Sequence, residues 1–410
     1  MIAQPPRGMR DFYPIEANLR KNVINIIEST YSSYGFDPID TPALEYMDVL
    51  NKKSGDEVKK QIYQIDDMGL RFDFTVGLAR FISNTSLPKP IKVYRSGPVW
   101  RRDEPQKGRY REFWQSDIDI IGSHSLKCEA ELISCAYDAL IALGLKNISF
   151  RLNSRVCLFD MMKKANVEKS KIQVAIRILD KLDKKGEGGV KQEMRDAGIR
   201  DESIDFIFKS ISSKKEEFVD SDKLKMIVDL VKEYGINAVK IDYSLARGLD
   251  YYTGPIFEIQ SLPFPFSIGG GGRYDDLLSL YGSPSPAVGI SIGVERVVDI
   301  LKQENKIDER SPFTQADVFI ANVKESSYDY AVKVAKIMRQ KGIKVSLNVT
   351  ERDLRKQLEY ANSLKFKYIV IVGDKEKQTE KVTLRNMETG EEKTIPIKDA
   401  ISIVRLEVTI

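Results

Sequence analysis

The segment that decides the fold is residues 91–122, IKVYRSGPVWRRDEPQKGRYREFWQSDIDIIG. Its two ends have the β-branched and aromatic content of strands, and the polar loop EPQKGR separates them, which predicts an antiparallel hairpin with a long basic tip. Alternate side chains of a strand share a face, so we expect Arg109, Arg111, Phe113 and Gln115 to line one surface. Guanidinium groups beside an aromatic ring suit a nucleotide. The alternative is a solvated hairpin whose charges neutralise each other.

Patterns on both sides of this hairpin predict an α+β domain. Residues 16–34 have the period of an amphipathic helix, and the Pro-containing segment 35–45 after it must run extended. A strand entering a helix is expected in AVGISIGVERVVDILK (287–302). Further strand material is expected in LRFDFTV (70–76), IDYSLARGLDYYTGPIFEIQ (241–260) and FPFSIGGGGRYDDLL (264–278). Because strands and helices do not alternate strictly, we predict a mostly antiparallel sheet.

Two other regions have patterns of their own. Residues of about 162–234 are rich in Lys and Glu and helical in pattern, with a break at KKGEGGV (184–190). They form either an inserted helical subdomain, about 165–235, or a solvated helical elaboration of the same domain. After the polar stretch 304–315, the strands ADVFIANV, IKVSLNV and KYIVIVG alternate with helical stretches. We therefore predict one domain over residues 1–315 and a small α/β domain with a largely parallel sheet over residues 316–410.

Composition restricts the classes of function. The chain has 410 residues and a net charge of only +4, so a nucleic-acid partner must bind a local basic surface. No segment is typical of a signal peptide or a membrane span, which predicts a cytoplasmic protein with no membrane contact. His124 is the single histidine, so a zinc site built from several imidazoles is excluded, and no organic cofactor is expected. The three cysteines lack a C-x-x-C pair and are predicted to be reduced core thiols: Cys128, Cys135 and Cys157.

Three further segments carry candidate chemistry. ARGLDYYTG (246–254) brings Arg247, Tyr251 and Tyr252 to one turn, although paired tyrosines are by themselves more often core residues. In IGGGGRYDDLL the four glycines allow close approach of either a ligand or a neighbouring strand, and no Walker or dinucleotide pattern follows them. Arg296, at the opening of a predicted helix, either meets a polyphosphate or is simply solvated.

Together these segments resemble the three signature motifs of class II aminoacyl-tRNA synthetases. ARGLDYYTG and GGGGRYDDL are also similar to two motifs of the histidyl-tRNA synthetase family, and the resemblance covers about residues 7–160 and 240–410. It implies a six-stranded, mostly antiparallel catalytic sheet, a helical insertion and a C-terminal anticodon-binding α/β domain. It also implies a homodimer through motif 1, the long helix and the strand ending at Pro42. The implied reaction activates L-histidine with ATP and Mg²⁺ and transfers it to the 3′ end of tRNA(His).

The resemblance also implies roles for individual residues. The implied catalytic residues are Arg101, Arg247 and Arg296. The implied ATP contacts are Arg101, Arg109, Phe113 and Arg296. The implied histidine contacts are Asp73, Phe74, Thr75, Gln115, Asp119, Arg247, Tyr251, Tyr252 and Tyr274. Because Arg247 stands where other class II enzymes place a metal ion, Mg²⁺ is expected on the outer phosphates, with no metal held by the protein alone. Asp73 stands where bacterial relatives carry Glu, Asp103 replaces the usual Glu of motif 2, and Asp119 also replaces a Glu.

Two other classes of protein compete with this interpretation. One is a regulatory paralogue, such as the subunit that partners ATP phosphoribosyltransferase, which generally lacks the C-terminal domain and disrupts the ARGLDYY arginine. The other is a different class II synthetase or a free-standing adenylating ligase that does not bind tRNA. The presence of both Arg247 and residues 316–410 favours the synthetase.

Overall fold

A computed structural model describes residues 3–52, 56–105, 108–213, 217–246, 251–264, 266–304 and 314–408. The chain divides into two compact units. The first contains Met1–Asp11 and Arg20–Glu304, and the second contains Phe12–Leu19 and Asn305–Ile410. The predicted boundary region 304–315 lies mainly outside the described residues.

The helices and strands of the described residues are labelled in chain order. The helices are α1 (Pro14–Ser33), α2 (Met47–Asn51), α3 (Asp56–Gln61), α4 (Thr75–Ser83), α5 (Lys127–Ala142), α6 (Arg155–Lys164), α7 (Ile172–Leu179), α8 (Leu182–Asp196), α9 (Asp201–Ser213), α10 (Ser221–Glu233), α11 (Val294–Gln303), α12 (Tyr328–Gln340), α13 (Leu354–Ser363), α14 (Asp374–Thr379) and α15 (Ile397–Val408). The strands are β1 (Asp37–Pro38), β2 (Leu44–Tyr46), β3 (Gln64–Ile65), β4 (Met68–Leu70), β5 (Ile91–Trp100), β6 (Glu112–Ile121), β7 (Ile148–Ser154), β8 (Val239–Ile241), β9 (Pro255–Ser261), β10 (Ser267–Arg273), β11 (Ala287–Gly293), β12 (Val318–Asn322), β13 (Val345–Leu347), β14 (Tyr368–Val372), β15 (Lys381–Asn386) and β16 (Glu392–Pro396).

The large sheet of the first unit has the order β1-β5-β6-β11-β10-β9-β7-β8. Its six central strands are antiparallel throughout, and only the short edge strands β1 and β8 pair in parallel with their neighbours. The predicted mostly antiparallel six-stranded sheet is therefore confirmed, with one parallel strand added at each edge.

The hairpin predicted from residues 91–122 is present as β5 and β6. Its ladder runs from the pair Ile91 and Ile121 to the pair Trp100 and Glu112. Side chains of β5 alternate between buried and partly buried along the strand, as expected when one face of a sheet packs on a core. The tip begins beyond Trp100, so the chain has left the regular pleat before it reaches the arginines of the loop.

The segment LRFDFTV was predicted to be extended, and this is wrong beyond Leu70, where β4 ends. Residues 71–74 form a loop and α4 begins at Thr75. The Asp73 carboxylate accepts a hydrogen bond from the Val76 amide at 3.2 Å, and such a bond to one of the first N–H groups favours helix initiation over a strand. The apolar run alone did not distinguish the two structures.

The Lys- and Glu-rich region is helical, as predicted, and α6 to α10 belong to the same compact unit as the large sheet. The predicted break at KKGEGGV lies within α8, where Gly186 alone has non-helical dihedral angles, with φ at +67°. Glycine adopts this conformation without the steric penalty of a Cβ atom, so the helix turns there and continues. The limits of the predicted insertion, about 165–235, remain a prediction.

The second unit contains a five-stranded sheet of order β13-β12-β14-β15-β16. The three predicted strands are present as β12, β13 and β14 and pair in parallel, and all residues of β12 and β14 are buried because helices cover both faces. The predicted largely parallel sheet is incomplete, since β15 and β16 add an antiparallel hairpin. The two strands of this hairpin are polar, and they lack the apolar run by which the sequence identified β12, β13 and β14.

Other expectations concern single residues and membrane contact. Cys128, Cys135 and Cys157 are buried and unpaired with one another, which confirms the prediction of core thiols. His124 lies in the loop before α5. No helix in the described part of the chain is both long enough and apolar enough to cross a membrane.

Candidate active site

One face of the large sheet forms the floor of the site. Residues two apart in a strand share a face, so β6 presents Gln115, Asp117 and Asp119 together. The neighbouring strand β11 runs antiparallel to β6. The residues directly opposite them on β11 are Gly293, Ser291 and Gly289.

Glycines make room for the side chains of this floor. A Cβ atom at Gly289 would lie 1.9 Å from Asp119 Oδ1, and one at Gly272 would lie 2.9 Å from the Tyr252 ring. At Gly271 the obstacle is backbone, because a Cβ atom would lie 2.0 Å from the Gly289 carbonyl oxygen. At Gly272 a Cβ atom would also lie 2.8 Å from the Pro255 carbonyl oxygen, so glycine serves close strand packing at both positions and, at Gly272, leaves space for the pocket tyrosine as well.

Three tyrosines form a wall over this floor. The ring centroids of Tyr251 and Tyr252 are 5.0 Å apart, and those of Tyr251 and Tyr274 are 6.0 Å apart, all in edge-to-face geometry. The Tyr274 hydroxyl donates to Asp119 Oδ1 at 2.5 Å, and the Tyr251 hydroxyl donates to Asp73 Oδ2 at 3.3 Å. Hydrogen bonds between polar side-chain groups thus join segments that are distant in the sequence.

The loop before α4 contributes the remaining polar groups of this wall. Asp73 is 5% exposed, and the side chain of Thr75 forms a hydrogen bond with Tyr251. Phe74, which was predicted to belong to the histidine-binding set, has a buried ring with the guanidinium groups of Arg95 and Arg71 at 4.6 and 4.9 Å from its centroid. Its ring therefore packs against cations of the core.

Three buried carboxylates dominate the electrostatics. Burial raises the pKa of Asp73, and it holds the pKa of Asp117 well above its usual range with a further contribution from the charge of Asp119. The pKa of Asp119 is raised to about 7, mainly by burial and also by the charge of Asp73, against the lowering effect of the Tyr274 hydrogen bond. Each ionised form would be stabilised by a positively charged ligand.

Arg101 is the cation next to these carboxylates. Its charge lowers the pKa of both Asp73 and Asp117. The Nε atom donates to the Phe72 carbonyl oxygen at 2.9 Å, and the guanidinium carbon lies 5.1 Å from the centroid of the Phe113 ring. Arg101 and Phe113 therefore lie together at the end of the pocket where the hairpin tip begins.

Two other predicted arginines lie at the hairpin tip. Arg109 is half-exposed, with Nη1 3.8 Å from Asp103 Oδ2. Arg296, in the first turn of α11, donates through Nε to the Gly108 carbonyl oxygen at 3.4 Å and through Nη1 to the Ser267 carbonyl oxygen. The structure thus brings Arg296 to the loop that carries Arg109, although the two are far apart in the sequence.

The expectation that Arg109, Arg111, Phe113 and Gln115 share one strand face is wrong for the two arginines. β6 begins at Glu112, so Arg109 and Arg111 precede the regular pleat. The Nε atom of Arg111 donates to the Asp103 carbonyl oxygen at 2.9 Å, within the loop itself. Arg247 lies outside the described residues.

Asp117 and Ser291 belong to this floor and were not among the predicted site residues. Ser291 Oγ donates to Asp117 Oδ1, and Gln115 Nε2 donates to Ser291 Oγ at 2.8 Å. The alternation Q-x-D-x-D in β6 already indicated Asp117, since it shares a face with two predicted contacts. Ser291 had no such signal, because its place opposite Asp117 depends on the pairing of two distant strands.

Within the described residues, no group of three or more His, Cys, Asp or Glu side chains could hold a metal ion. The oxygen-rich pocket instead offers acceptors to ligand N–H groups and, at one end, arginines to anionic oxygens. An antiparallel sheet with a hairpin that carries arginines to a pocket is the arrangement that the resemblance to class II aminoacyl-tRNA synthetases predicts.

Known proteins match nearly the whole chain. A family model described as histidyl-tRNA synthetase matches residues 8–297, and one described as an anticodon binding domain matches residues 317–407. The histidine–tRNA ligase of Korarchaeum cryptofilum is 39% identical over an alignment that covers 98% of each chain. That of Aeropyrum pernix is 37% identical over 98% of this chain and 97% of its own. The crystal structure of histidyl-tRNA synthetase from Nostoc sp. PCC 7120 superposes with a TM-score of 0.84, at 29% identity over 99% of this chain and 100% of that one.

The chain belongs to the histidyl-tRNA synthetase family, and it is accordingly an ATP-dependent aminoacyl-tRNA ligase for histidine.

Proposed function

We propose that the pocket binds L-histidine and ATP side by side and catalyses both steps of aminoacylation. In the first step a histidine carboxylate oxygen attacks the α-phosphorus of ATP, giving histidyl-adenylate and pyrophosphate. In the second, a hydroxyl of the terminal ribose of tRNA(His) attacks the histidyl carbonyl carbon and releases AMP. The observation that carries this proposal is the buried cluster of Asp73, Asp117 and Asp119 with Arg101 at one end.

On the histidine side, Asp73, Thr75 and Gln115 would surround the α-ammonium group. Asp119 would accept a hydrogen bond from one imidazole nitrogen, and Tyr252 would donate one to the other. Tyr251 and Tyr274 would complete the wall of the pocket. The carboxylates favour a cationic ligand. The polar groups that would bond to the histidine side chain disfavour other amino acids. Leucine or glutamine would leave buried donors and acceptors unpaired, at a cost of about 1–3 kcal/mol for each group.

On the ATP side, Arg101 and Arg247 would bind the α-phosphate and the histidine carboxylate, where negative charge accumulates during the displacement. Preorganised cations stabilise such a transition state more than the ground state. Arg109 and Arg296 would bind the outer phosphates, and the Phe113 ring would stack on adenine. Mg²⁺, which proteins commonly bind together with substrate phosphates, would neutralise charge on those outer phosphates.

The rest of the chain would serve the tRNA and the assembly of the enzyme. We infer a catalytic domain over residues 1–315 with an inserted helical region of about 165–235, and a tRNA-binding domain over residues 316–410. The two family matches, which end at residue 297 and begin at residue 317, support this division. We further propose a homodimer through α1 and the strand ending at Pro42, acting in the cytoplasm.

The decisive experiment is ATP–pyrophosphate exchange measured with each of the twenty amino acids. Exchange that depends on histidine alone is expected. Exchange with a different amino acid would leave the class intact and refute the proposed pocket contacts, and no exchange at all would favour a regulatory paralogue. A transfer assay with tRNA(His) then tests the second step.

A further inference from the structure

Three polar side chains form a hydrogen-bonded chain from β6 to β11 beneath the pocket. Asp117 and Ser291 lie directly opposite each other on these strands, and Gln115 is two residues before Asp117 on the same face. Asp117 is 5% exposed. The chain runs from Gln115 Nε2 to Ser291 Oγ, at 2.8 Å, and from Ser291 Oγ to Asp117 Oδ1.

When Asp117 is ionised, the supply of protons fixes the direction of these hydrogen bonds. An ionised carboxylate only accepts hydrogen bonds, and a serine hydroxyl has a single proton to donate. If that proton goes to Asp117, Ser291 can only accept from Gln115, so the amide NH₂ group must face Ser291. The amide oxygen of Gln115 is then turned away from Ser291, and its orientation follows from the donors and acceptors present.

In this orientation the amide oxygen of Gln115 has no hydrogen-bond donor. Gln115 Oε1 is buried and has no hydrogen-bond partner within the described part of the chain. A buried acceptor without a donor is unfavourable, so a ligand that supplies an N–H group removes this penalty when it binds. An ammonium group has three such donors and a positive charge.

We propose that Asp117 and Ser291 are positioning residues that hold Gln115 with its amide oxygen toward the α-ammonium group of the amino-acid substrate. This inference rests on the proposed function and adds two residues to it. Without these hydrogen bonds the Gln115 amide is free to rotate and present its NH₂ group, a donor that cannot bind an ammonium ion. Neither Asp117 nor Ser291 needs to touch histidine for this effect.

The electrostatic surroundings of Asp117 make the direction of these hydrogen bonds depend on the substrate, because burial favours the protonated carboxyl when no ligand is bound. Burial and the charges of Asp119 and Asp73 raise the pKa of Asp117, whereas the Ser291 hydrogen bond and the charge of Arg101 lower it. A cationic substrate favours the ionised form of a nearby carboxylate. The accepting state of Asp117, and with it the direction of the chain, is therefore stabilised when the substrate binds.

The test is a double-mutant cycle with Ser291→Ala and Gln115→Ala in the full-length enzyme. Ser291→Ala is expected to raise KM for histidine in pyrophosphate exchange roughly tenfold, with KM for ATP unchanged, because a hydrogen bond to a charged group is affected. In the Gln115→Ala background Ser291→Ala should have no further effect, since Ser291 acts only through Gln115. Asp117→Ala, which removes the acceptor of the Ser291 proton, should behave as Ser291→Ala does. Additive effects on KM would overturn the proposal.

A ligand without the ammonium group provides the matched control. Imidazolepropionate, which is histidine without its α-amino group, should inhibit the wild-type enzyme and the Ser291→Ala variant with equal inhibition constants. Equal weakening of histidine and imidazolepropionate would instead indicate general damage to the pocket and refute the positioning role. A wild-type enzyme with no histidine-dependent exchange would refute the proposed function itself, so the two failures are distinguishable.

Discussion

Asp119 shows at the scale of one residue how the pocket trades stability for ligand binding. Its pKa is raised to about 7, far above the ordinary value of an aspartate, mainly because the side chain is buried. The folded protein therefore holds a proton that the unfolded chain has lost over the range from about pH 4 to about pH 7. Stability must fall as pH rises through this range, since ionised Asp119 is unfavourable without a ligand.

Asp119→Asn is expected to remove this loss. From pH 5 to pH 8 the ligand-free wild type should lose about 2–3 kcal/mol more of its free energy of unfolding than the variant does. Urea unfolding at the two pH values measures the difference. The matched control is Asp66→Asn, at an exposed turn position with φ of +54° that asparagine also tolerates. Equal pH profiles for wild type and Asp119→Asn would contradict the assigned pKa.

The same substitution should impair activity. The side-chain amide introduced by Asp119→Asn would keep an acceptor for Tyr274 but would lack the charge that favours the imidazole, so KM for histidine should rise at least roughly tenfold at pH 8. Pyrophosphate exchange measures this, with Asp66→Asn again as the control. A variant that is both more stable and fully active would remove Asp119 from the histidine site.

Arg247 carries the prediction that depends most on the family pattern. Arg247→Ala should leave the fold intact and reduce kcat for adenylate formation by a factor of about 100 or more, because it removes charge stabilisation that is felt mainly in the transition state. Single-turnover adenylate formation tests the role directly, with the melting temperature as the check on folding. Near-normal exchange would show that another cation serves the α-phosphate.

At the scale of elements, β11 is adapted to β6 residue by residue. Its pocket face reads Gly289, Ser291, Gly293, and the two glycines lie opposite the larger side chains Asp119 and Gln115. Glycine weakens a strand, since it has no side chain to pack and more backbone entropy to lose. The sheet tolerates this cost at Gly289, where a Cβ atom would collide with the Asp119 carboxylate.

Gly289→Ala tests this interpretation of the strand. The added methyl group would lie 1.9 Å from Asp119 Oδ1 and 3.2 Å from the Ile118 carbonyl oxygen, so the carboxylate must move. We expect a loss of about 1–3 kcal/mol in the free energy of unfolding and a larger KM for histidine. The control is Gly188→Ala in α8, where an added Cβ meets nothing within 4 Å and the helix should be unaffected or slightly more stable. Normal histidine kinetics in Gly289→Ala would show that Asp119 needs no such space.

At the scale of the whole molecule, we assign histidine activation and tRNA binding to different compact units. The large sheet with its pocket belongs to one unit, and the five-stranded sheet of β12 to β16 belongs to the other. Each has a buried core of its own, centred in the second unit on residues such as Val318, Ile320 and Val370. Separate cores allow activation and tRNA binding to be separated by truncation.

Deletion of residues 316–410 should therefore spare histidine activation and reduce tRNA(His) binding at least roughly tenfold. Pyrophosphate exchange reports the first activity, and a gel-shift assay at fixed ionic strength reports the second, since tRNA affinity depends strongly on salt. Circular dichroism of the truncated protein checks that the sheet is retained. Unchanged tRNA binding would refute the role assigned to residues 316–410.

The sequence by itself determined those features that arise from local pattern. The hairpin of β5 and β6, the amphipathic helix α1, and the alternation of strands and helices after residue 316 could all be predicted, because each depends on the spacing of apolar residues within a short segment. The motifs that carry Asp73, Gln115, Asp119 and Tyr252 were equally visible, since each is a short run of particular residues.

Only the tertiary structure decided how those residues meet. Ser291 acquires its place opposite Asp117 from a register between strands 174 residues apart in the chain at this point, and no local period encodes such a register. The end of β4 at Leu70, the start of β6 at Glu112 and the burial of Phe74 between two arginines likewise depend on packing and capping by distant groups. The raised pKa values follow for the same reason, because burial is a property of the folded chain as a whole.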